Sequence, residues 1–245
     1  MATWIVHLRL AEALLDPIGG LDAAAFALGN IAPDSGIPDE KWEKFTPPPE
    51  VTHFAGSTSG GNLADLDFYR RYLAGADRAA LGAARFSFLW GYFCHLVTDN
   101  LWAQQIGRPT QARFASEFAG DAQFIWKIKE DWYGLDYIYV RDHPASLFWR
   151  VFRNCTVSQS YLDFLPLEAL RQRVEYIQAM YQRHDAEVQA AYLRPYIYLS
   201  QSEVDRFVAG ASQQLYRIYQ SLWLDHANPN GFSSVLDLLK ILPQG

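Results

Sequence analysis

Apolar residues recur along this chain at helical intervals. Over Thr3–Leu15, Trp4, Ile5, Leu8, Leu10, Ala11, Leu14 and Leu15 form one broad stripe. That pattern predicts an amphipathic helix with Thr3 as its N-cap, ended by Pro17, Gly19 and Gly20. Leu21–Gly29 is alanine-rich and predicts a second helix, with Asp22 in its first turn and Gly29-Asn30 as a C-cap. Residues 31–61 lose the helical period. They hold Pro33, Pro38, the run Pro47-Pro48-Pro49, and Gly36, Gly56, Gly60 and Gly61. Loops of this length are uncommon in compact domains and are often functional. This one carries Asp34 and His53 in turn-like contexts.

Helical spacing returns at Leu63. Asp65–Leu73 predicts one helix. Arg78–Trp102 predicts another, capped by Asp77, with Gly82 and Gly91 as points of bending or close packing. Pro109 reads as a break, Thr110 opens a helix through Trp132, and Gly134 and Asp136 loosen the pattern over Tyr133–Asp142. Further helices are expected over Pro144–Asn154, over Pro166–Leu193 up to Pro195, and over Glu203–Leu224 behind a Ser202–Asp205 capping pattern. Ser233 or Ser234 caps a last short helix ending near Ile241. Strand alternation, internal repeats and low-complexity tracts are not evident. The expected fold class is therefore all-α: a single-domain bundle over residues 1–245 with roughly eight helices or a few more.

Composition narrows the function classes. Half of the residues are hydrophobic and 15% aromatic, which predicts a folded core. The formal charge is −6 and no basic block occurs, so nucleic acid is not the expected partner. Cys94 and Cys155 lie outside any Cys-x-x-Cys pair. The start of the chain does not read as a secretory signal, because His7, Arg9 and Glu12 interrupt its apolar run. A reducing, cytoplasmic setting is the expectation. Phe86–Trp102 approaches the length of a membrane span, but it contains His95 and Asp99 and reads as a buried core helix.

Those two residues carry the chemistry. Four positions apart on a helix, His95 and Asp99 share one face. Buried in an apolar setting, they either pair with each other or bind a cation. His7, Asp34 and His53 are the other polar residues in unusual places, and helix bundles build metal sites from side chains projected inward. Imidazole nitrogen and carboxylate oxygen suit zinc, and also manganese or iron. Taken singly, His7 reads as a core histidine or a residue of the polar edge beside Arg9, Asp34 as a turn residue and His53 as a loop histidine, and His95–Asp99 reads also as a hydrogen bond without metal. Asp131 and His143 are reserve ligands, with a cap or surface role the more ordinary reading. The aromatics Trp4, Trp42, Phe54, Trp90, Tyr92 and Trp102 could line a groove for acyl chains or a choline group, although helical spacing favours core packing.

His7, the stretch Gly29-Asn30-Ile31-Ala32-Pro33-Asp34, Thr52-His53-Phe54, and Gly91-Tyr92-Phe93-Cys94-His95-Leu96-Val97-Thr98-Asp99-Asn100 resemble the successive metal-binding motifs of the zinc-dependent phospholipase C family. That family is all-helical and related in fold to single-strand-specific zinc nucleases. The resemblance covers residues 1–105 and implies that Asp34, His53, His95 and Asp99 bind one zinc. It also implies that Asp99 bridges to a second metal held with His7. Asp34 would then orient or deprotonate the attacking water, and the substrate would be a phospholipid or other phosphodiester. The chain departs from the family pattern where Trp4 follows Met-Ala-Thr, where Gln105 replaces a histidine, and where no later His-x-x-x-Glu occurs. One or two metals are therefore expected. A related zinc nuclease and a non-catalytic protein with a structural metal remain the alternative readings.

Overall fold

The computed structural model describes residues 1–41, 43–55 and 63–241, so Trp42, Gly56, Gly60 and Gly61 lie outside the described residues. The protein is mostly helical. Its helices are α1 (Trp4–Ile18), α2 (Ala23–Ile31), α3 (Pro49–Thr52), α4 (Asp65–Tyr72), α5 (Arg78–Leu81), α6 (Ala83–Trp102), α7 (Arg108–Arg113), α8 (Ala115–Gly120), α9 (Phe124–Asp142), α10 (Leu147–Arg150), α11 (Leu167–Tyr181), α12 (Ala186–Leu193), α13 (Gln201–Tyr219) and α14 (Val235–Ile241).

α6 is the axis of the molecule. Every residue from Phe86 to Trp102 is buried, as an all-round apolar helix requires in a globular protein. The buried apolar side chains of α1, α2, α4, α6, α9, α11 and α13 belong to one continuous core. Among the described residues, no helix is long and apolar enough to cross a membrane.

α1 forms as its pattern requires: the Thr3 hydroxyl accepts from the Val6 N–H, and Gly19 closes the helix just beyond Pro17. α2 corrects the expected C-cap. Asp22 caps it, and the helix runs through Gly29-Asn30 to Ile31, then tightens into a 3₁₀ turn at Ala32–Asp34. Gly29 is a packing residue instead. A Cβ there would stand 2.1 Å from the Phe88 carbonyl oxygen, and one on Gly91 would stand 2.5 Å from that of Phe26. The paired glycines let α2 and α6 cross almost backbone to backbone.

Other boundaries also differ from expectation. Gly82, at φ +76°, separates α5 from α6, so Arg78–Trp102 is two helices. Pro109 does not break the chain: α6 passes through a π turn at Ala103–Gly107 into α7, which carries Pro109 as its second residue. α9 is continuous through Gly134 and Asp136. The run Pro144–Asn154 supports only α10 and a 3₁₀ turn at Phe152–Asn154. Pro166–Leu193 is divided at Asp185, which caps α12. The capping box that opens α13 is Ser200 with Glu203, rather than Ser202 with Asp205. Two short strands do occur, Ile37–Pro38 (β1) pairing antiparallel with Phe45–Thr46 (β2). They brace the loop that delivers His53.

Candidate metal centre

Four segments bring the five polar residues together. α1 contributes His7, the 3₁₀ turn after α2 contributes Asp34, the residue after α3 contributes His53, and α6 contributes His95 and Asp99. His7 and His95 have no measurable solvent exposure, and His53 and Asp99 are also buried. His7 Nε2 stands 3.5 Å from Asp99 Oδ1, and His95 Nε2 stands 3.5 Å from Asp99 Oδ2. His53 Nε2 lies 3.3 Å from Asp34 Oδ1 and 3.7 Å from Asp99 Oδ2. The His7 and His95 rings stack with centroids 3.8 Å apart.

These separations identify what the cluster is suited to. A charge-assisted N–H···O⁻ bond is about 2.7–2.9 Å long, so the pairs are too far apart to be strong hydrogen bonds. Donors bound tetrahedrally about 2.1 Å from a zinc ion stand roughly 3.4 Å from one another, close to what is seen here. His7 Nε2, His53 Nε2, His95 Nε2 and Asp99 Oδ2 are all buried without a hydrogen-bond partner. Buried polar atoms left in that state are costly, and a cation would satisfy those whose donors converge on it. Two overlapping groups have ligand atoms within 4.8 Å of one another: His7, His95 and Asp99, and Asp34, His53 and His95. The residues present therefore fit one ion; the two groups share the single free nitrogen of His95, so a second ion would have only His7 and an Asp99 oxygen as protein donors. Asp99 has one oxygen toward His7 and the other toward His53 and His95, the disposition of a bridging carboxylate.

The surroundings fix the orientation of the donors. His95 Nδ1 lies 2.7 Å from the Asn30 carbonyl, which only accepts, so Nδ1 carries the proton and Nε2 presents its lone pair to the cluster. His53 Nδ1 lies 3.1 Å from the Thr52 hydroxyl and 3.2 Å from the Pro49 carbonyl, so it finds a partner in either tautomer. The Tyr92 hydroxyl donates to the Thr52 carbonyl and ties the His53 turn to α6. Sequence reasoning did not find two further contacts. The Trp4 indole donates to Asp34 Oδ2 at 2.8 Å, and the Ala2 N–H donates to Asp99 Oδ1 at 2.7 Å. Neither carries a periodic or compositional signal; both arise from where α1 begins.

Protonation is also set by the cluster. Burial pushes the His7 imidazole down to about 4, with the neighbouring His95 adding to the effect, so His7 is neutral near pH 7. Burial alone would raise the carboxyls of Asp34 and Asp99. For Asp34 the adjacent His53 and the charge of His95 outweigh it, and for Asp99 His95 does, so both are held well below the usual range. Burial would lower His95, but Asp99 and Asp34 raise it overall, so a bound cation would displace that proton.

Asp131 and His143 lie elsewhere. Asp131 accepts from the N–H groups of Ile197 and Tyr198, and His143 is exposed and stacked on Tyr139. Of the aromatics, Trp4 lines the cavity described next, while Trp90, Tyr92 and Trp102 are buried in the core.

A cavity of about 190 Å³ opens onto Asp34 and His53. Its walls include Trp4, Tyr133, Lys129 and Arg173, the last two from α9 and α11. Compared with known proteins, the chain matches no family model, no curated protein and no solved structure.

Proposed function

We propose that this protein is a metal-dependent phosphoesterase, similar in chemistry to zinc-dependent phospholipase C. The observation that carries this reading is the set of unpartnered donor atoms on His7, His53, His95 and Asp99, gathered at the separations of metal ligands. Zinc held there would supply Lewis acidity, polarising a phosphoryl oxygen and making water a nucleophile near neutral pH. The chain's own residues do the remaining work. Asn30 holds the His95 imidazole in the ligating tautomer, and Thr52 and Pro49 anchor Nδ1 of His53. Trp4 turns one oxygen of Asp34 outward and leaves the other facing His53. Asp34 also borders the cavity, where its carboxylate can orient the attacking water or take its proton.

A closed structural metal is the competing reading. The cavity favours the catalytic one, because it reaches Asp34 and His53 from outside, and a catalytic site keeps an open position whereas a structural site is saturated by protein ligands. The two free thiols, Cys94 and Cys155, suit a reducing compartment. Zinc per chain, measured on protein purified without a histidine tag, tests the reading together with hydrolysis of a chromogenic phosphodiester and phosphomonoester. Wild type should hold stoichiometric zinc and turn over one of these esters, losing both properties in His95→Ala. Wild type that binds neither zinc, manganese nor iron at neutral pH would overturn it. Bound zinc without turnover of any phosphoric ester would favour the structural site.

A further inference from the structure

The cavity beside Asp34 and His53 has a charge pattern that the phosphoesterase reading does not by itself explain. Among the described residues lining it, Asp34 is the one acidic side chain, and the cations are Lys129 and Arg173. Neither cation has a carboxylate within ion-pair distance among the described residues, although surface arginines such as Arg150 and Arg183 do. Arg173 is half-buried, and its Nε is buried without a hydrogen-bond acceptor. Lys129 is half-buried too, and burial lowers its ammonium from the ordinary value while Asp34 opposes that effect.

Trp4, one of the aromatics lining the cavity, already has a cation over its face. The Arg173 guanidinium lies 5.6 Å from the Trp4 ring centroid and 5.8 Å from that of Tyr176, and Lys129 Nζ lies 4.7 Å from that of Trp126. A quaternary ammonium group in the cavity would therefore compete with Arg173 for the Trp4 ring. It would also find no free carboxylate, since Asp34 faces His53 and accepts from Trp4.

The charge balance points the same way. The carboxylates of Asp34 and Asp99 offset one divalent cation. The positive charges of Lys129 and Arg173 then remain over the cavity without a counter-charge. A phosphomonoester near pH 7 carries about two negative charges, a phosphodiester one, and a choline phosphodiester none net. The volume of about 190 Å³ is below the roughly 300–1,000 Å³ of pockets that enclose drug-sized ligands, which suits a compact organic phosphate better than a whole lipid.

Building on the phosphoesterase reading, we propose that the cavity selects a compact, dianionic phosphomonoester, with Lys129 and Arg173 as the residues that read its charge. Guanidinium and ammonium groups from two different helices would receive the phosphoryl oxygens on the side away from the histidines.

Calorimetric titration with inorganic phosphate and with dimethyl phosphate, a monoanionic diester, tests this on zinc-loaded and metal-free protein, for wild type and for K129Q/R173Q. Zinc content is measured on each sample. Wild type should bind phosphate at least about tenfold more tightly than dimethyl phosphate. The double variant should weaken phosphate binding about tenfold or more while keeping its zinc. Equal affinity for the two probes, or phosphate binding that survives in the double variant, would overturn the proposal. Wild type that takes up no zinc would instead remove the phosphoesterase reading. Phosphate titration of the metal-free protein then decides the cation pair, which fails if binding is absent or indifferent to K129Q/R173Q.

Discussion

The Asp34 carboxylate is held from both sides: Trp4 donates to Oδ2 at 2.8 Å, and Oδ1 faces His53 Nε2 at 3.3 Å. The indole therefore sets which oxygen is offered to the cluster. Trp4→Phe keeps an aromatic ring against Tyr133 and Tyr176 but removes the donor. Zinc affinity should fall about tenfold or more, as losses of outer-shell partners generally cause. The unfolding midpoint of the metal-free protein should change little. Competitive titration against a chromophoric chelator measures the affinity, and an unchanged value would show that Asp34 needs no orienting partner. At this scale the sequence was informative in a particular way. His7, Asp34, His53, His95 and Asp99 stood out because polar residues in apolar or turn-like settings demand an explanation, and all five meet in space. Trp4 stood out only as a hydrophobe, because an indole N–H has no sequence pattern of its own. Lys129 and Arg173 have no sequence pattern that separates them from the other charges of amphipathic helices.

Among the elements, the crossing of α2 and α6 matters most to the site. Gly91 allows it, and the same stretch of α2 presents the Asn30 carbonyl to His95. A Cβ at residue 91 would meet the Phe26 carbonyl at 2.5 Å and the backbone and side-chain nitrogens of Asn30 at 3.0 Å. Neither helix can yield without moving the other. Gly91→Ala should therefore cost about 1–3 kcal/mol of stability, the usual range for overpacking a tight core. It should also weaken zinc binding, because the displaced turn holds His95 in its tautomer. Urea denaturation with a parallel zinc titration checks both effects, and wild-type behaviour in each would mean that the helices separate without strain. Helix existence was legible from periodicity, which is local. Helix ends were not, because several were decided by tertiary demands. Gly29 reads as a cap until Phe88 is seen against it, and Pro109 reads as a break although a π turn carries the helical chain past it. The capping box was misplaced by two residues because Ser200 and Ser202 offer the same chemistry, and the backbone geometry selects Ser200.

Over the whole molecule, the all-helical class follows from the repeated apolar stripe, but the joining of distant segments does not, since nothing periodic connects α4 with α14. Asp65 makes that join. Its Oδ1 accepts from the Val235 N–H at 2.8 Å, and its Oδ2 accepts from the Ser234 hydroxyl and the Asn100 amide, each at 2.7 Å. Asn100 in turn bonds both backbone groups of Leu63, so α4, α6 and α14 are tied through one fully buried carboxyl. Burial outweighs these donors and, with Asp237 nearby, lifts the Asp65 carboxyl from 3.8 to about 7. The folded protein then binds this proton more tightly than the unfolded chain does. The stabilisation is fully present below about pH 4 and is lost as pH rises through about 7, with a magnitude on the order of 4 kcal/mol. Asp136, buried beneath the start of α1 and also lifted to about 7, acts in the same direction. Asp34 and Asp99, held low, act in the opposite direction in acid. A difference measurement separates Asp65 from all of them. Asp65→Asn loses hydrogen bonds at every pH but has no proton to release, so its deficit relative to wild type should be largest near pH 5 and should shrink toward pH 8. Urea denaturation of metal-free wild type and variant across that range gives the difference directly. A deficit that grows with pH would mean that the carboxyl is ionised in the folded protein, its three donors having prevailed over burial.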